Sequence, residues 1–177
     1  MSAPLLEILT DAEIATLHGG YDPAVLNAGT RAVLVDATYP EAAGLVDSLL
    51  RLFYPEKRSR NAFFDKKVRA AAARAHKAPA PLALDNATRE LVLLTILSRK
   101  GNTQFMAIHV YWALMEGLTV EAITNILLLS SYYEGIEVWS WGSGALGQIL
   151  KVLKAQVATG KVDTMSVIGA LKAQLPA

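Results

Sequence analysis

The sequence predicts an all-α protein: an antiparallel helical bundle with an N-terminal helical extension. Three observations carry this expectation. Apolar residues recur at helical spacing, as at Ala43, Val46, Leu49, Leu50 and Phe53, so that each stretch has one apolar face. The stretches are separated by residues that cap or stop helices, among them Asp85, Gly101, Thr119, Gly135 and Gly160. The turns between the longer helices are short, which favours antiparallel neighbours.

Taken in order, residues 1–21 hold a short helix over 11–18, capped by Thr10 and stopped by Gly19 and Gly20. Residues 22–38 are ambiguous. They open like a helix, with Pro23 inside a cap at Asp22, but Ala32, Val33, Leu34 and Val35 read equally as extended. Helical spacing returns over 40–53, with Pro55 beyond its end. The basic connector PEKRSRN leads into an alanine-rich helix over 62–75. Its Lys66, Lys67, Arg69 and Arg74 form a solvated face, and His76 stands at its end. Pro79 and Pro81 then prevent continuation. Asp85 caps a helix that Gly101 ends. A second helix covers 103–116 and stops at Gly117, and Thr119 caps a third that breaks near Gly135. Two more follow, over 138–159 and 164–174. This divides the chain into an extension, 1–60, and a helical domain, 61–177.

Composition narrows the possible functions. The chain of 177 residues is 53% hydrophobic and only 19% charged, which implies apolar surface buried against other copies of itself. Seventeen basic and 16 acidic residues give a net charge of +1, so no field draws nucleic acid or an anionic membrane. Cysteine is absent, which excludes disulfides, thiolate nucleophiles, CxxC redox chemistry and thiolate metal sites. The first residues carry Glu7, Asp11 and Glu13 and no basic segment, unlike a signal peptide. The uncharged runs 122–133 and 138–150 are too short to span a bilayer. A cytoplasmic protein is expected.

Two polar residues stand out within 84–134. Glu90 shares a helical face with Leu94 and Leu97, and His109 shares one with Phe105, Met106, Trp112 and Ala113. Each is directed into apolar surroundings, where burial disfavours its charged form. A shared hydrogen bond would offset that cost and create a general acid–base couple. Spacing alone leaves open the commoner case of two separately satisfied core groups.

Residues 84–135 resemble the core of the carboxymuconolactone decarboxylase family, which also contains the alkylhydroperoxidase D proteins. The resemblance rests on LDxxTREL at 84–91, AIHVxxAL at 107–114, GLTxEAI at 117–123 and the turn from Tyr133 to Gly135, all in family order and spacing. In the family's redox branch a glutamate precedes CxxCxxxH. That glutamate matches Glu90, the histidine matches His109, and the two cysteines fall on Asn102 and Phe105. The resemblance therefore implies a Glu90–His109 proton-transfer pair without thiol peroxidase chemistry. The Cys-less decarboxylase branch acts on a carboxylated muconolactone from aromatic breakdown and commonly has an acid just before its histidine. Thr103, Gln104, Phe105 and Met106 supply none, a departure from that branch. A homo-oligomer, trimeric or hexameric, is also implied.

Decarboxylation beside a lactone or ketone needs an apolar pocket, a donor for the developing enolate and an acid to reprotonate carbon. His109 suits the donor or acid role, with Glu90 orienting it, and neither metal nor organic cofactor is required. The same apparatus would serve isomerisation or lactone opening. Asn102, Gln104, Phe105, Trp112, Tyr133 and Trp139 are the candidate contacts for a small carboxylated or lactone substrate. For the aromatic members, core or interface packing is the ordinary alternative; for Asn102 and Gln104 it is helix capping. A second functional reading is a catalytically inactive member that serves as a ligand-binding or oligomeric scaffold.

Gly142, Gly144 and Gly147, followed by Asp163, imitate a dinucleotide fingerprint. Too little chain follows for the βαβ unit such a site needs, and glycines at this spacing also let helices approach closely.

Overall fold

A computed structural model describes residues 5–23, 25 and 85–176. The expectations for 26–84, including the helices over 40–53 and 62–75 and the division at residue 60, lie outside the described residues. Within them every regular element is a helix: α1 (Leu5–Ile8), α2 (Asp11–Gly20), α3 (Asn86–Lys100), α4 (Thr103–Met115), α5 (Val120–Glu134), α6 (Ile136–Thr159) and α7 (Thr164–Gln174). The described residues are all-α, as their periodicity predicts.

The boundaries follow from local chemistry. Thr10 opens α2 with a reciprocal capping box: its hydroxyl accepts from the Glu13 amide while Glu13 accepts from the Thr10 amide. Asp85, Asn102, Thr119 and Asp163 each accept from the amide three residues on, capping α3, α4, α5 and α7. The backbone and side chain of Thr88 hold the Asp85 carboxyl below the usual carboxylate range. Ser166 does the same for Asp163. Gly101 and Gly160 end α3 and α6 in the left-handed region, at φ 70° and 69°, where a glycine carries no Cβ penalty.

Two boundaries differ from expectation. Helix α2 continues through Gly19 and Gly20 instead of stopping at His18. A Cβ at Gly20 would lie 2.2 Å from the Val162 carbonyl oxygen, so this glycine permits a close approach within a helix. Helix α6 begins at Ile136, two residues early. Gly135, at φ 106° and ψ 157°, reverses the chain alone in a region that is essentially restricted to glycine. Gly142, Gly144 and Gly147 all lie inside α6, so no strand–turn–helix fingerprint forms there.

Helix α4 is the axis of the bundle. Ten of its residues are buried, and it packs against α2, α3, α5, α6 and α7. Apolar side chains lie all around its sequence, the pattern of a helix enclosed by others. Asn86 at the start of α3 bonds Glu116 just beyond α4, and Arg99 near the end of α3 pairs with Glu134 at the end of α5. Thus α3 is antiparallel to α4 and runs alongside α5 in the same direction. The N-terminal helices share the core through Ile8, Leu9 and Leu17, and His18 Nε2 donates to the Leu114 carbonyl at 3.1 Å.

Candidate functional site

The antiparallel pairing of α3 with α4 brings Glu90, in the second turn of α3, against His109, in the middle of α4. Glu90 Oε2 accepts from His109 Nδ1 at 2.7 Å, the short range of charge-assisted bonds. Glu90 has no exposed side-chain surface, whereas His109 retains 18%. The imidazole therefore connects a sealed carboxylate to a partly open surface. Nδ1 is committed to Glu90, and no described residue bonds Nε2.

Further polar groups extend from the pair. Arg89 Nε lies 3.7 Å from the other oxygen of Glu90, and Arg89 Nη2 donates to Asn86 Oδ1 at 2.8 Å. Asn86 Nδ2 donates to Glu116 Oε2 at 3.1 Å, while Glu116 Oε1 accepts from Trp112 Nε1 at 2.9 Å. Sequence reasoning singled out neither Arg89, Asn86 nor Glu116 for the site. Helical spacing carried a signal for two links: Asn86 and Arg89 are three apart, and Trp112 and Glu116 four apart. The cross-helix link carried none.

The six expected substrate contacts do not converge as a set. Phe105 and Trp112 flank His109 on α4, one turn to either side; Trp112 is buried and Phe105 packs half-buried against the core. Asn102 caps α4, its Oδ1 accepting from the Phe105 amide at 2.9 Å. Gln104 is turned to α7, where Nε2 donates at 3.2 Å to the carbonyls of Lys172 and Leu175. Its amide thus closes a helix C-terminus. Trp139 packs against the core from the first turn of α6. Tyr133 is 78% exposed near the end of α5, its ring edge-to-face with Tyr132. That end of α5 meets α3 at Arg99, and nine residues of helix from Glu90 to Arg99 span about 14 Å. Tyr133 belongs to the opposite end of α3 from the pair.

An open groove of about 580 Å³ runs along α5, lined by Asn125, Leu128, Leu129, Ser131, Tyr132 and Ile136. Neither Glu90 nor His109 lines it. No cluster of three or more His, Asp or Glu side chains suited to a metal occurs among the described residues, nor does any helix there have the length and apolarity to cross a membrane.

No family model, curated protein or solved structure matches the chain.

Proposed function

We propose that the chain is a cofactor-independent, carboxymuconolactone decarboxylase-like enzyme that uses Glu90 and His109 for proton transfer on a small carboxylated or lactone substrate. The observation that carries this reading is the 2.7 Å bond between a buried carboxylate and a partly exposed imidazole. Glu90 orients the ring through Nδ1, which makes Nε2 the nitrogen that meets substrate. In decarboxylation the bond to the carboxylate carbon breaks, carbon dioxide leaves, and its electron pair enters the enolate. His109, in its imidazolium form with both ring nitrogens protonated, then supplies the Nε2 proton to carbon and regains one from water. In isomerisation, Nε2 removes a proton beside the carbonyl and returns it elsewhere. Phe105 and Trp112 form the apolar flank of the imidazole. Self-association in the cytoplasm is part of this proposal, as composition implies.

The test is a panel of carboxylated lactones and simple lactones, followed for carbon dioxide release and solvent deuterium incorporation. His109→Ala and Glu90→Gln are expected to keep the helical circular dichroism signal and to lose turnover by at least about a hundredfold, the ordinary worth of a positioned acid–base group. Full activity in both variants overturns the proposal. One observation favours the second reading, an inactive binding scaffold: the groove on α5 has ligand dimensions and lies apart from the pair. That reading expects saturable ligand binding unchanged in His109→Ala and no turnover in the parent chain.

A further inference from the structure

We propose that Arg89 and Glu116 are positioning residues for the Glu90–His109 pair, joined through Asn86 into one polar arm that fixes the tautomer of His109. This deepens the functional reading, since it concerns the same pair, but its readout requires no turnover.

The arm has a single hydrogen-bond polarity. Asn86 Oδ1 accepts from Arg89 and Nδ2 donates to Glu116. Reversing that amide would set its NH2 against a guanidinium and its oxygen against a carboxylate, both unfavourable. Both oxygens of Glu116 are engaged, one by a group on each helix: Asn86 from α3 and Trp112 from α4. Glu116 therefore anchors the outer end of the arm to the same helix that carries His109.

At the inner end, Arg89 and Glu90 are adjacent on α3. The 3.7 Å separation of Arg89 Nε from Glu90 Oε1 is longer than a hydrogen bond, so the guanidinium acts on this oxygen through its field. It stabilises Glu90 as the acceptor and leaves Oε2 for the imidazole. Arginine suits the position because a planar fork can face a carboxylate with one edge and hold Asn86 with another, as a lysine ammonium cannot. Arg89 is 8% exposed, which limits screening by water. Charged groups facing the pair from the described elements are thus Arg89 on α3 and, through Asn86, Glu116 beside α4. An accepting Glu90 requires the proton on Nδ1, and that places the lone pair of the neutral ring on Nε2.

The experiment is nitrogen-15 NMR of histidine-labelled protein, with the His109 ring assigned by its loss in His109→Ala. At a pH where the ring is neutral, the parent chain is expected to show Nδ1 protonated and Nε2 bare. Arg89→Met should lower the ratio of the Nδ1–H to the Nε2–H tautomer roughly fivefold or more, the change that about 1 kcal/mol of lost preference gives. Arg89→Lys should restore part of it. Glu116→Gln cuts the arm at its partly exposed outer end and should shift the ratio in the same direction by less. Should Arg89→Met fail to fold by circular dichroism, Glu116→Gln alone decides. An unchanged ratio in the folded variants overturns the arm and leaves the proposed function standing. A shifted ratio in a chain that turns over no substrate does the reverse.

Discussion

Tyr111 shows at the scale of one residue what enclosure in the axial helix does. It has no exposed surface, and its ring meets that of Tyr21 edge-to-face at 5.8 Å between centroids. Burial pushes its phenol up to about 12, with a further push from Asp163. The Thr164 hydroxyl opposes the shift, but it is engaged with Asp22, and among the described residues the Tyr111 hydroxyl has no hydrogen-bond partner. Folding therefore holds the phenol protonated at pH values where the unfolded chain has already released that proton. This contribution is fully present below the ordinary value of 10.0. As pH rises from there towards about 12 it is lost, at up to roughly 1.4 kcal/mol per pH unit. Tyr111→Phe is expected to flatten this alkaline loss in urea titrations while leaving stability at pH 7 equal or slightly higher, since the hydroxyl it removes is unpaired. An unchanged alkaline slope would contradict this account.

At the scale of the helix, the caps were legible because each is a local event: a side chain meets an amide three residues away. Thr10, Asp85 and Thr119 have the sequence signature of caps and stand as caps in the structure. Asn102 was open between cap and substrate contact, and its Oδ1 is engaged as a cap. Replacing it separates the two roles. Asn102→Ala should cost about 1 kcal/mol of stability in denaturant melts, whereas Asn102→Ser, itself a good cap, should recover most of it. The carboxylate caps add a pH dependence. Asp85 and Asp163 are held below their ordinary value of 3.8 by bonds from Thr88 and Ser166. Their contribution is present above that value and lost as pH falls through the lower folded-state values. Asparagine caps without titrating, so the double variant D85N/D163N should lose less stability than the parent between pH 4 and more acid conditions, measured by urea midpoints. Gln104 illustrates what local reading misses: its partners, the carbonyls of Lys172 and Leu175, lie at the end of a helix far along the chain.

Over the whole molecule, the apolar excess has a location. Val92 and Ile96 on α3, with Leu128, Leu129, Tyr132 and Tyr133 on the adjacent α5, are all exposed. Together with their neighbour Ile136 they set large apolar side chains on the outside of two adjacent helices and the start of α6. A second copy of the chain is the occupant we propose, because only 19% of the residues are charged and exposed apolar side chains gathered on neighbouring helices mark interaction sites. Light scattering after size exclusion is expected to show an oligomer for the parent chain and a reduced mass for L129E/Y132E. A monomeric parent, or an unaltered mass in that variant, would remove this face from consideration.

Among the described residues, the sequence by itself determined the helices, most of their ends, and the presence of one carboxylate and one imidazole on apolar faces. These depend on spacing within a few residues and on side chains that reach their own backbone, so they are written locally. Only the tertiary structure decided that Glu90 and His109 meet, because two separately buried polar groups and one hydrogen-bonded couple leave the same periodic trace. It likewise joined Arg89, Asn86, Glu116 and Trp112 across two helices, turned Gln104 towards α7, and set Tyr133 far from the pair. Which faces oppose one another depends on the register between helices, fixed by the packing of α4 inside the bundle rather than by any single stretch of chain.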